Sequence, residues 1–249
     1  MTAPARPAVP VLDARVREIA ADPGRTWGVP DALAGLLAVP LSLLLVVGSL
    51  ALTRGVPAVL ATVLASAVLA AIGVVVSRRA ARQSGGFGRA LGLDLPRGGD
   101  VGRVLVWTLL LLIVQVVAVA LLTALVPSLR DAPVENVGFL RAEPLAAVLV
   151  VAVLAVVVAP VLEELIFRGL VLRGLMLRLG FWPAAVVSST FFGLFHAQAG
   201  GRDALPIVVA TGVFGLGLCV LVRRTARLGP AIGVHALRNA VALVGVLLT

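Results

Sequence analysis

Residues 145–168 read LAAVLVVAVLAVVVAPVLEELIFR. Eighteen apolar residues, Leu145 to Leu162, precede the first group that can ionise. That is about the length an α-helix needs to cross the hydrocarbon core of a bilayer. Two adjacent carboxylates, Glu163 and Glu164, follow at the far end, and Arg168 lies one turn beyond them. The stretch reads as a membrane helix that carries charge where a bilayer makes charge costly. Pro160, three residues before Glu163, removes a backbone donor and bends the helix.

The rest of the 249-residue chain has the same character. Sixty per cent of it is apolar and only 13% is charged, about half the charged share of an ordinary soluble domain. Further apolar runs cover residues 33–53, 57–76, 104–126, 182–196, 205–222 and 230–248. The run that starts at Leu145 extends to Ile166 and continues as a helix to Leu179. The expected fold is therefore all-α, a polytopic transmembrane helical bundle of about seven membrane helices, with eight the alternative count. Residues 1–30 form a polar tail with a short amphipathic stretch around 11–20. Residues 31–144 hold the first membrane helices and a basic loop, and residues 145–249 form the helical core. No repeat, low-complexity segment or secretory signal peptide is visible.

All 21 cations are arginine, for a net charge of +9. They sit mostly in loops, so they speak for membrane orientation and not for nucleic acid. With the N-terminus in the cytosol, the tail, the 78–103 loop, the stretch after the fourth run and the 223–229 loop hold 16 arginines against 4 in the outer loops. Positive residues accumulate on the cytosolic side, so the chain is expected to be a multi-pass protein of the cell membrane with a cytosolic N-terminus. The single cysteine, Cys219, permits neither an internal disulfide nor a cysteine metal cluster.

Which polar residues lie inside apolar runs? Of twelve acids, only Glu163 and Glu164 do. Both histidines, His196 and His235, do as well, together with Arg168, Arg238 and Asn239. Glu164 and Arg168 are i,i+4 and can pair, which reads most simply as a structural ion pair. Glu163 lies about 100° round the helix and is free to face another partner. His235 and Asn239 share one helix face, as do Phe192 and His196, and Gly193 lets a neighbouring helix come close. Gln115 is expected to make an interhelical hydrogen bond. Gly212, Gly215 and Gly217 are expected to permit close helix contact, and Phe191, Phe192 and Phe195 to pack.

Depth supports one site. Glu163 is 17 residues before Gly180 and His196 is 16 after it, so an antiparallel hairpin turning there puts them level. His235 fits less well. The sixth helix descends about 27 Å, which leaves His235 about 10 Å short, to be absorbed by tilt or by residues 197–204 dipping inward.

Three motifs resemble those of the CAAX-protease and bacteriocin-processing family of intramembrane endopeptidases. Glu163-Glu164-Leu-Ile-Phe-Arg168 is similar to its EExxxR motif, Phe192-Gly-Leu-Phe-His196 to its FxxxH motif, and His235-Ala-Leu-Arg-Asn239 to its HxxxN motif. They stand in the family's order, with no departure at the motif positions. The resemblance implies that Glu163 is the base that activates water and that His196 holds that water. His235 and Asn239 would stabilise the oxyanion, and Glu164 and Arg168 would brace the site, with a substrate carboxylate as a second partner for Arg168. The implied substrate is a membrane-embedded, lipidated or otherwise hydrophobic peptide, and membrane lipid is the other partner. No cofactor is favoured. Zinc is the alternative, held by Glu163, His196 and His235, since two histidines and a carboxylate are a known catalytic zinc set. Two other functions compete: a non-catalytic scaffold or bacteriocin self-immunity protein of the same fold, and a proton-coupled transporter. Polar residues gathered in the last four helices, without repeat symmetry, weigh against transport.

Overall fold

The computed structural model describes residues 10–22, 27–37, 67, 71, 75, 91–132, 140–141, 143–197 and 201–248. Most of the first two apolar runs, and the basic loop up to residue 90, lie outside the described residues. Among the described residues the chain is helical throughout, with no strand.

Helix α1, Val11–Ala21, realises the amphipathic stretch of the tail. Leu12 and Val16, one turn apart, are buried in the core. Helix α2 is Val101–Leu125. Helix α3 runs without a break from Leu145 to Leu179, as the sequence suggests. Helix α4 is Phe181–Phe195, α5 is Leu205–Thr225 and α6 is Gly229–Leu248. Among the described residues, four helical stretches are long and apolar enough to cross a membrane: Gly98–Leu125, Leu145–Leu179, Leu205–Thr225 and Gly229–Leu248. At 15 residues, α4 is about 22 Å long, short of the roughly 30 Å hydrocarbon core. The run at 182–196 is thus an apolar helix that stops part-way, ending at His196.

Burial separates inner helices from outer ones. In the apolar window of α5, 56% of residues are buried, against 17% for the α2 stretch and 11% for α3. Leu105, Val106, Leu109, Ile113, Val116 and Leu125 of α2 are exposed, a surface suited to lipid tails and not to water. The α4–α5 seam is close because it is lined with small residues. A methyl group on Gly193 would sit 2.5 Å from the Val208 carbonyl oxygen and 3.2 Å from Gly212 Cα.

The segments expected on the cytosolic side meet at one end of the bundle. Asp13 of α1 accepts two hydrogen bonds from Arg223, at 2.7 and 3.1 Å. Arg173 donates to the Ala226 carbonyl at 2.8 Å. Arg227 pairs with Asp94, and with both oxygens of Asp100 at 3.1 Å. The main hydrophobic core lies at this end, and a smaller cluster of Leu140, Val151 and Leu243 lies apart from it.

Candidate active site

Helix α3 is irregular where it carries the glutamates. π-helical turns at Leu154–Val158 and Leu165–Val171 bracket the α-helical segment Ala159–Glu164. The first lies beside Pro160, whose missing N–H cannot close an α-helical turn. Wide turns of this kind recur at functional sites. In the second, Leu172 N–H reaches back to the Phe167 carbonyl, which also accepts a bond from Ser188 Oγ at 2.9 Å.

The structure brings Glu163, His196 and His235 together. Oε2 of Glu163 lies 3.9 Å from Nε2 of His196 and 3.7 Å from Nε2 of His235. Level pairing of Glu163 with His196 agrees with the hairpin count. The 10 Å shortfall expected for His235 does not arise, because α6 begins much deeper than the end of α3. Leu228 lies against Gly169, where a methyl group would meet its Cδ1 at 3.4 Å. Gly169 is six residues past Glu163, and His235 is six residues past Gly229.

Each imidazole is oriented through its other nitrogen. Nδ1 of His196 donates to the Phe192 carbonyl at 2.8 Å, and Nδ1 of His235 donates to Oε1 of Glu164 at 2.9 Å. Both partners are acceptors, so each neutral ring carries its hydrogen on Nδ1 and turns the Nε2 lone pair toward Glu163. Oε1 of Glu164 also accepts from Arg168 Nη1 at 2.8 Å. Glu164 and Arg168 are fully buried, and the Arg168 guanidinium lies 4.3 Å from the Phe192 ring centre. The Arg168 side chain is wholly enclosed by protein.

Aromatic rings wall the cluster. Phe192 lies 4.7 Å from the His196 ring, 5.7 Å from His235 and 5.1 Å from Phe167. Phe214 of α5 lies 5.5 Å from the His235 ring and beneath Arg238 at 5.7 Å. Sequence reading passed over Phe214, and its only signal is an aromatic ring amid the small residues of α5. Asn239 does not point its whole amide at the cluster. Its Nδ2 donates to the Ala155 carbonyl at 2.8 Å, and its Oδ1 accepts from Arg238 at 3.3 Å. Gln115 makes the interhelical bond expected of it, to the Ala210 carbonyl at 3.1 Å.

Two features bear on chemistry. Side-chain exposure falls from 14% at His196 to 8% at Glu163 and 3% at His235, so the approach is from the His196 side. Oε2 of Glu163 is buried with no hydrogen-bond partner. Tetrahedral zinc ligands at about 2.0–2.1 Å from the metal lie roughly 3.4 Å apart. The 3.7 and 3.9 Å separations are wider, and among the described residues no three His, Cys, Asp or Glu side chains are gathered closely enough to hold a metal ion.

Residues 145–241 match a family model described as Rce1-like, type II CAAX prenyl endopeptidase Rce1-like. No curated protein and no solved structure matches the chain. The apolar helices fit a multi-pass membrane protein, and the model that matches is that of a membrane protease. The match covers the helical core that carries the three motifs, and it supports the CAAX-protease resemblance they suggest.

Proposed function

We propose that this chain is an intramembrane endopeptidase that hydrolyses a peptide bond of a membrane-embedded, lipidated or otherwise hydrophobic peptide, using water activated by Glu163. The observation that carries this reading is the buried, unpartnered Oε2 of Glu163 facing two imidazole Nε2 atoms. A water molecule among them has two hydrogens to give. One goes to Glu163 and the other to Nε2 of His196, which leaves an oxygen lone pair for the substrate carbonyl. Glu163 takes the proton as the oxygen adds to the carbonyl carbon, and passes it to the departing amine as the C–N bond breaks. His235, held by Glu164 through Nδ1, stabilises the developing oxyanion when its Nε2 carries a proton, with the second amide hydrogen of Asn239 in support. The mechanism runs through water alone. The end of the bundle rich in arginine faces the cytosol of a cell membrane.

The test is Glu163→Gln, which keeps shape and removes the base. Cleavage of a hydrophobic peptide reporter by the purified chain should disappear with thermal stability unchanged. Near-native turnover would overturn the role of Glu163. Turnover should survive chelation, and a loss restored by zinc would overturn the metal-free mechanism.

A further inference from the structure

Two donors normally serve a helical carbonyl, the N–H four residues on or, in a wide turn, the one five residues on. Ala155 has neither. The N–H of Ala159 bonds to the Leu154 carbonyl instead, and residue 160 is proline, which has no N–H. The Ala155 carbonyl lies inside a membrane helix, where an unpaired backbone group costs several kcal/mol. What fills the gap is a side chain from another helix, Asn239 Nδ2 at 2.8 Å.

The same turn sets the direction of Glu163. Eight residues of ordinary α-helix would put Glu163 about 80° round from Ala155. One wide turn takes up an extra residue and removes roughly that angle. Both residues then face α6, Ala155 toward Asn239 and Glu163 toward His235. We propose that Asn239 is a positioning residue. By capping the carbonyl that Pro160 leaves without a donor, it holds the wide turn open and so aims Glu163 at the two histidines. This inference builds on the peptidase reading and gives Asn239 a task beyond the oxyanion.

The proposal predicts coupling between Asn239 and Pro160. Asn239→Leu removes the donor at similar volume, and kcat on the peptide reporter should fall by about 100-fold, the scale of a misplacement near 1 Å, with KM little changed. Pro160→Ala returns a backbone N–H that can serve Ala155. In that background the Asn239→Leu loss should shrink, leaving only the part that Asn239 contributes to the oxyanion. An equal loss in both backgrounds would overturn the proposal and leave Asn239 with the oxyanion alone. The same four proteins read by thermal melting in detergent report the clamp without any cleavage, so a chain that cleaves nothing still decides it. Asn239→Leu should lower the melting temperature less in the Pro160→Ala background, and equal drops overturn the clamp. Absence of cleavage by the native chain would instead overturn the peptidase reading.

Discussion

His235 Nδ1 donates to Glu164 Oε1 across 2.9 Å, joining the last helix to the one that carries both glutamates. The same oxygen holds Arg168. Glu164→Gln removes the charge that compensates a fully buried guanidinium, a change that costs about 3–5 kcal/mol. Yield and melting temperature should fall together with turnover. Glu163, one residue earlier, has no such cation to balance, so Glu163→Gln should leave the melting temperature unchanged. Equal melting of the two variants would contradict the division of labour between the acids.

Gly193 stands where α4 touches the backbone of α5, three residues before His196. Gly193→Ala must push the helices apart, at a cost of about 1–3 kcal/mol, and carry His196 away from Glu163. Turnover should fall along with the melting temperature. Gly98→Ala serves as the control, since nothing lies within 4 Å of that position.

Helix α1 is tied to α5 by the two bonds between Asp13 and Arg223. Both side chains are about a fifth to a quarter exposed, so solvent screening trims the pair to the order of 1 kcal/mol. A double-mutant cycle with Asp13→Ala and Arg223→Ala should return a coupling of that size in the melting free energy. A coupling of zero would mean that α1 is held by Leu12 and Val16 alone.

Orientation can be read with single cysteines, because the native Cys219 is buried. A cysteine replacing Ser128, between α2 and α3, should react with an impermeant thiol reagent in whole cells. One replacing Gly98, at the arginine-rich end, should react only after lysis. The opposite pattern would invert the chain.

Much of this was legible because charged and amide groups are rare in the apolar runs. Glu163, Glu164, His196, His235 and Asn239 stand out against leucine and valine, and the turn at Gly180 lets residue counting put Glu163 level with His196. Arginine placement also grouped the segments that meet at one end. Counting failed where depth is set by tertiary contacts. It gives the length of α5 but not where α6 begins, which depends on Leu228 seating on Gly169 and on Arg173 holding Ala226. The end of α4 at His196 was legible, because the apolar run itself stops there. Pro160 was noticed as a bend, while the partner its freed carbonyl would find lay 84 residues away.

Asp94 accepts a hydrogen bond from the Gly229 N–H at 2.8 Å and pairs with Arg227. A carboxylate at that place caps the first turn of α6 and opposes its dipole. The residue that anchors the helix of His235 thus comes from outside the stretch that matches the family. The motif-bearing stretch is therefore not portable. Excised from residue 145 onward, it would keep all three motifs and the seat of Leu228 on Gly169, yet lose the carboxylate that caps the helix of His235.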